Sequence, residues 1–79
     1  MAATLLFLGR LEDLAGGPIR AVSPGALESI LARLEPPLAV ALLDERVRLA
    51  LNGTLVSERG GIVLADHDEC AFLPPVSGG

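Results

Sequence analysis

The residues best suited to chemistry stand at the end of the sequence, in FLPPVSGG, residues 72 to 79. Pro74 and Pro75 cannot donate hydrogen bonds to a neighbouring strand, so we expect them to end the last strand and direct the remaining residues outward. Gly78 and Gly79 have no side chains, which leaves a backbone narrow enough for an enzyme pocket to enclose. We therefore expect the reacting group to be the terminal carboxylate of Gly79. The segment expected to enter a partner comprises Pro74, Pro75, Val76, Ser77 and Gly78.

Other reactive side chains are few. Cys70 is the sole cysteine, so it forms no internal disulfide, and its apolar context predicts a packing role, with a redox or sulfur-relay role as the alternative. His67 lies among Asp66, Asp68 and Glu69, but adjacent positions do not give a recognised metal-ligand spacing. We predict a turn there and no metal site. Nothing in the sequence assembles into a catalytic triad or a phosphate-binding loop.

Composition limits the class of protein. The 79 residues allow one domain, and the 51% hydrophobic content is sufficient for a core, which must be largely aliphatic. The net charge is −4 and every cation is an arginine, without a basic cluster. This balance argues against nucleic acid and anionic membranes and favours a basic protein partner. The opening MAATLLFLGR does not fit a signal peptide or a membrane span, so we expect a cytoplasmic protein.

The first half of the chain predicts two strands and a helix. Residues 3 to 9 form a short apolar run typical of a buried strand, and PIRAV after a helical turn suggests its hairpin partner. Ser23 and Pro24 predict a helix start, as N-cap and first helical residue. One apolar stripe then follows at helical spacing, and Pro36 and Pro37 are expected to stop that helix. The stripe consists of Leu27, Ile30, Leu31 and Leu34.

The second half predicts three more strands. Residues 38 to 43 fit either a helical turn or a strand, whereas residues 46 to 51 alternate as a half-buried strand. Asn52 and Gly53 supply the two positive-φ positions of a tight hairpin leading into Thr54–Val56. The last strand, ECAFL, runs into the prolines. One helix on one face of a mixed sheet is an α+β fold, the β-grasp roll, with residues 1–75 as the domain and residues 76–79 as a flexible tail.

The second face of the sheet is predicted to carry a docking patch. Both faces of the first and last strands are apolar, although one face of such a sheet normally meets water. We expect Leu8, Leu55 and Leu73 to form this partner interface. The alternative is that loops cover these residues.

The segments LALNGTLVS and DHDECAFLPPVSGG resemble those of the MoaD-type sulfur carriers, the small subunits of molybdopterin synthase, and LLFLGRLEDLAG is similar to the same family's opening. The resemblance spans nearly the whole chain. Its most specific element is the Pro-Pro, Val, small polar residue, Gly-Gly ending. The sequence departs from the family pattern at His67, where a glycine is common, and at Cys70, where an aliphatic residue is usual.

The resemblance implies that an E1-like adenylyltransferase activates Gly79 with ATP and that Gly79 then becomes a thiocarboxylate. The tail would enter the large subunit of molybdopterin synthase and donate sulfur to a pyranopterin precursor. It further implies a heterotetramer with two carriers on a large-subunit dimer, and no cofactor bound by this chain. Two alternatives stay open: a thiamin-pathway sulfur carrier, and a ubiquitin-like modifier conjugated to lysines through Gly79.

Overall fold

A computed structural model describes residues 1–75 of the chain. Seven strands and three short helices follow one another in this part. In chain order they are β1 (Ala3–Phe7), α1 (Arg10–Ala15), β2 (Ile19–Val22), β3 (Gly25–Ala26), α2 (Leu27–Ala32), α3 (Pro36–Leu43), β4 (Arg48–Leu51), β5 (Thr54–Val56), β6 (Val63–Leu64) and β7 (Glu69–Leu73).

The main sheet is mixed and has the strand order β2-β1-β7-β4-β5. β1 and β7 run parallel at its centre, while β2, β4 and β5 are joined by antiparallel pairs. A second, two-stranded sheet pairs β3 with β6. The mixed sheet with its helical layer on one face agrees with the predicted α+β roll, and the first two strands form the predicted antiparallel pair.

The core lies between one face of the sheet and the helices α2 and α3. Every second residue of β1, β4 and β7 points into it, so that Leu5, Leu49 and Cys70 are each at most 3% exposed. Phe7 and Phe72 occupy paired positions on the parallel strands, and their rings stack with centroids 5.7 Å apart. The helical layer contributes the predicted stripe together with two residues of α3, namely Leu27, Ile30, Leu31, Leu34, Leu38 and Leu42.

The predicted helix start at Ser23 and Pro24 is wrong. Gly25 and Ala26 form β3, which pairs with β6, and α2 begins only at Leu27, after Ala26 as its N-cap residue. The Leu27 amide donates to the Ile62 carbonyl at 2.9 Å, which continues the pairing into the helix. The pairing with β6 therefore outweighs the local capping pattern at Ser23 and Pro24. A pattern of four or five residues contains no information about contacts with a distant segment.

Pro36 and Pro37 also behave differently from the expectation that they simply stop a helix. α2 ends at Ala32, and the two prolines begin α3, which resolves the ambiguous segment 38 to 43 as helix. The first amides of a helix have no acceptor within the helix, so proline loses no hydrogen bond there. The helical layer thus consists of two short helices rather than of one that ends at the prolines.

The predicted hairpin between β4 and β5 is confirmed. Asn52 has φ of 50° and Gly53 has φ of 85°, which are the two left-handed positions that the sequence indicated. The register of this hairpin pairs Ala50 with Leu55. It thereby decides which residues of β5 share a face with the central strands.

Candidate functional site

The last described residues leave the sheet from its centre. β7 lies between β1 and β4, and Leu73 is its final residue. We call Leu73, Pro74 and Pro75 the tail root; all three are half-buried. The predicted site residues Val76, Ser77, Gly78 and Gly79 lie outside the described residues, so their roles stay predictions.

On the β1 side, the tail root rests on a glycine. The Leu8 amide donates to the Phe72 carbonyl at 3.2 Å, which extends the β1–β7 ladder by one residue. Gly9 then turns the chain away with φ of 56° and ψ of −137°, a conformation that favours glycine. A Cβ atom at Gly9 would stand only 2.9 Å from Pro74 Cγ. Gly9 is therefore a positioning residue for the tail root, and the sequence indicated it only as the end of a strand.

On the β4 side, the tail root borders an open groove. Arg48 pairs with Leu73 across the ladder, and both line this groove. Arg46, a second groove residue, is held by Asp44, whose carboxylate accepts from the guanidinium at 2.9 Å. Hydrogen bonds from the Arg46 side chain and backbone lower the pKa of Asp44 to about 2. The remaining groove residues are Glu45, Pro74 and Pro75.

Arg59, in the loop that follows β5, stabilises one wall of the groove. The Arg59 guanidinium donates to the carbonyls of Leu42 at 2.7 Å and Asp44 at 2.9 Å, and also to the Val47 carbonyl. These carbonyls belong to the end of α3 and to its connection with β4, which have no helical donors of their own. Arg59 thus holds the segment that carries Arg46 and Arg48.

The sheet face away from the helices has an apolar row that crosses all five strands. We call this face the outer face. The row is set by strand pairing: Leu6 pairs with Ile19 and Ala71, and Ala50 pairs with Ala71 and Leu55. The two ends of this row are well exposed, Ile19 at 65% and Leu55 at 60%. A continuous apolar row that meets water is typical of a protein-binding surface.

The three predicted interface residues fall on this outer face. Leu73 points there because Cys70 and Phe72 of the same strand point into the core, and Leu8, which is 42% exposed, follows β1 beside it. Leu55 stands at the far edge, linked to them through Ala50 and Ala71. The structure therefore leaves these leucines accessible, whereas their contact with a partner stays a prediction. The sequence pattern did not indicate Ile19 and Leu6 as interface residues, although they complete the row.

At the opposite end of β7, a turn fixes where the strand begins. Asn52 donates to the Asp68 carboxylate at 3.0 Å and accepts from the Glu69 amide at 2.9 Å. The Ala65 amide also donates to the Asp68 carboxylate, at 2.8 Å. This hydrogen bond has the largest effect in lowering the pKa of Asp68, and the hydrogen bond from Asn52 lowers it further. His67 adopts φ of 72°, and its amide donates to the Ala2 carbonyl at 2.9 Å. Within residues 1–75, no three acidic, histidine or cysteine residues are arranged to hold a metal ion.

Cys70 is placed for packing rather than for reaction. It is 1% exposed and lies between Leu5 and Leu51 in the sheet register. Burial raises the pKa of its thiol to about 11, which keeps the nucleophilic thiolate at a very low level near neutral pH. The packing role fits this position better than the redox alternative.

Comparisons with known proteins agree with this description. The model of the ThiS family matches residues 5–79. The molybdopterin synthase sulfur carrier subunit of Escherichia coli (strain K12) is 36% identical over 80 residues, which cover 95% of this chain and 96% of that protein. Among the described residues, no helix is long and apolar enough to cross a membrane.

Two solved structures confirm the fold. The small archaeal modifier protein 1 (SAMP1) of Methanosarcina acetivorans superimposes with a TM-score of 0.76 at 24% identity, over 99% of this chain and 96% of that one. The complex of subunits 1 and 2 of the molybdopterin-converting factor from Helicobacter pylori contains a chain that superimposes with a TM-score of 0.67 at 24% identity, with 100% of both chains covered. At these identities the likeness concerns the fold alone.

Proposed function

The chain belongs to the ThiS family, and on this premise we propose that it is a sulfur carrier that serves as the small subunit of a molybdopterin synthase. The observation that carries the proposal is the 36% identity, over nearly the full length of both proteins, to the sulfur carrier subunit of Escherichia coli molybdopterin synthase. The Pro-Pro-Val-Ser-Gly-Gly ending supports it, since a narrow backbone suits a reacting group that another protein must enclose.

The chemistry starts from the carboxylate of Gly79, which is a poor electrophile because its oxygen is a poor leaving group. In the proposed sequence, a carboxylate oxygen attacks the α-phosphorus of ATP and releases pyrophosphate. A sulfur nucleophile equivalent to hydrosulfide then attacks the acyl carbon and displaces AMP, which leaves a thiocarboxylate. Donation of this sulfur to a pyranopterin precursor, with water entering at the acyl carbon, restores the carboxylate. Each dithiolene requires two sulfur atoms and therefore consumes two loaded carriers.

This chain supplies the acyl group and the surfaces, whereas its partners supply the catalysis. An E1-like adenylyltransferase binds ATP and Mg²⁺ and activates Gly79. The large subunit receives the tail from Pro74 to Gly78 and packs on Leu8, Leu55 and Leu73, with two carriers on a large-subunit dimer. The carrier itself binds no cofactor and works in the cytoplasm. The complex of subunits 1 and 2 of the Helicobacter pylori molybdopterin-converting factor, one chain of which shares this fold, supports the choice of partner.

A second function is supported by the other solved structure that this chain resembles. The likeness to an archaeal modifier protein supports the alternative that Gly79 is joined to lysine side chains of target proteins. The thiamin-pathway carrier uses the same thiocarboxylate and differs in the acceptor. All of these functions require an activated Gly79, and they differ in the molecule to which Gly79 transfers its sulfur or its acyl group. A modifier forms covalent conjugates of higher mass that survive reducing agents, whereas a sulfur carrier forms no such conjugates.

The deletion of Gly78 and Gly79 tests the proposal. We expect the shortened chain to keep the circular dichroism spectrum and unfolding midpoint of the full chain, because the predicted domain of residues 1–75 excludes these glycines and already contains the sheet, the helices and the core. In a reaction that contains the activating enzyme, ATP, a sulfur source and the large subunit, we expect it to form no molybdopterin. Product formation at the rate of the full chain would contradict the proposal. Replacement of Gly60, an exposed loop glycine with no atom near its Cβ position, by alanine is the control that should keep activity.

A further inference from the structure

The outer face has opposite charges at its two ends. Arg48 lies at the end where the tail root leaves the sheet, because it pairs with Leu73. Glu69 begins β7 at the other end and points to the outer face, since its neighbour Cys70 points into the core. Leu73 lies four positions after Glu69 on the same strand, a span of roughly 13 Å at about 3.3 Å per residue. The apolar row with Ala71 and Ala50 lies between the two charges.

Neither charge has an ion-pair partner within residues 1–75. The two ion pairs of this part join Arg20 to Glu35 and Arg46 to Asp44, and the Arg59 guanidinium is occupied by carbonyls. The Glu69 backbone is bonded to Asn52, but its side chain is exposed and makes no hydrogen bond among the described residues. Arg48 is likewise exposed. Both charged groups are therefore available to a protein that covers the outer face.

An apolar surface alone does not fix the direction in which a partner sits on it, because hydrophobic contact is non-directional. The row from Ile19 to Leu55 would bury similar area if the partner were turned by half a revolution. In the turned arrangement the tail root would face away from the partner's cleft, and the carrier could not deliver its acyl group. Insertion of the tail favours one arrangement once the complex has formed, whereas charges on the outer face can distinguish the two arrangements during the encounter.

We propose that Arg48 and Glu69 orient the large subunit on the outer face, through a carboxylate that meets Arg48 and a cationic side chain that meets Glu69. This inference rests on the proposed function. In the productive orientation both contacts are attractive, and in the turned orientation each charge meets its like, which costs more than the loss of the contact. The partner surface that fits this face is apolar at its centre, acidic beside the cleft that receives the tail, and basic at the far side.

Exchange of the two charges tests the orientation directly. The double variant Arg48→Glu, Glu69→Arg keeps the net charge and the apolar row and reverses only the polarity of the face. The matched control is Arg33→Glu with Glu28→Arg, which makes the same exchange between two exposed residues on the helix side. Circular dichroism and urea unfolding are used first, to check that both variants fold like the original chain.

Association with the purified large subunit is measured by stopped-flow fluorescence at low and at high salt. We expect the outer-face exchange to slow association about tenfold at low ionic strength, with a smaller difference at high salt, because charges at the rim of an interface act mainly on the association rate. The helix-side exchange should leave the rate within about twofold of the original. Equal effects of the two exchanges would overturn this inference while the proposed function stands. A failure of the unchanged chain to bind the large subunit would overturn both.

Discussion

Pro74 lies directly against Gly9, so closely that a Cβ atom at Gly9 would come within 2.9 Å of Pro74 Cγ. The contact joins the residue at which the first strand turns away to the residue at which the last strand ends. Because β1 and β7 are parallel neighbours, these two points meet at the same edge of the sheet. The position of Pro74 in the tail root therefore depends partly on the absence of a side chain at Gly9.

Replacement of Gly9 by alanine should destabilise the domain and misdirect the tail root. We expect a loss of about 2 to 3 kcal/mol in the free energy of unfolding, from the unfavourable backbone conformation together with the clash against Pro74. The rate of sulfur transfer should fall by a larger factor than the fraction of folded protein does. Gly16→Ala is the control, since Gly16 also has positive φ but has nothing near its Cβ position; we expect about 1 kcal/mol and normal transfer. Urea unfolding and the transfer assay provide both readouts, and equal effects of the two variants on transfer would count against this role.

Asn52 should stabilise the start of β7 through two distinct properties, its hydrogen bonds and its tolerance of positive φ. Asn52→Gly keeps the backbone conformation and removes the bonds to Asp68 and Glu69, so we expect a loss of about 1 to 2 kcal/mol in unfolding free energy. Asn52→Ala adds the strain of a left-handed residue and should lose about 1 kcal/mol more. Equilibrium denaturation with urea measures both. If the glycine variant is as stable as the original chain, the hydrogen bonds contribute nothing.

Stability should decline at alkaline pH because of Cys70. Burial raises the pKa of the thiol in the folded state to about 11, whereas the unfolded chain releases the proton near the ordinary pKa of roughly 8.5. Above that value the unfolded state binds fewer protons than the folded state, so the free energy of unfolding falls by about 1.4 kcal/mol per pH unit until the folded thiol also ionises. The sequence contains no lysine or tyrosine side chain to obscure this range. In Cys70→Ala the slope should vanish, and the same slope in that variant would refute the assignment.

The leucines of the outer face should contribute to partner affinity more than to folding. Leu55→Asp and Leu73→Asp place an unpaired carboxylate in the proposed interface, and we expect each to weaken binding of the large subunit about tenfold or more. Leu43→Asp is the control, because Leu43 is 65% exposed on the helix side. Titration calorimetry compares the three variants. Affinity unchanged by both outer-face substitutions would show that the partner binds elsewhere.

Local patterns were sufficient for the parts of the fold that depend on neighbouring residues. The Asn52-Gly53 turn was predictable because its two positive-φ positions are encoded by the dipeptide itself. The stripe that begins at Leu27 was predictable because helical spacing places its members on one side. The period-two spacing of strand residues likewise predicted that Cys70 and Phe72 lie on one face of β7 and that Ala71 and Leu73 lie on the other.

Features that depend on strand order could not be predicted from local patterns. The Ser23-Pro24 cap pattern was misleading because the following residues pair with β6, nearly forty positions away. Gly9 and Arg48 acquire their roles only because β1 and β4 flank the last strand. The row from Ile19 to Leu55 likewise combines residues from five strands, and only the register shows that they are adjacent.

The proposed function requires that Gly79 carries the transferable sulfur atom. Intact-mass spectrometry of the protein purified from its native cells detects that atom. We predict a population whose mass corresponds to the exchange of one oxygen for sulfur, located by fragmentation at Gly79 and lost on incubation with the large subunit and the pyranopterin precursor. A chain that always has an unmodified carboxylate, or that continues beyond position 79 without being trimmed, would contradict the account.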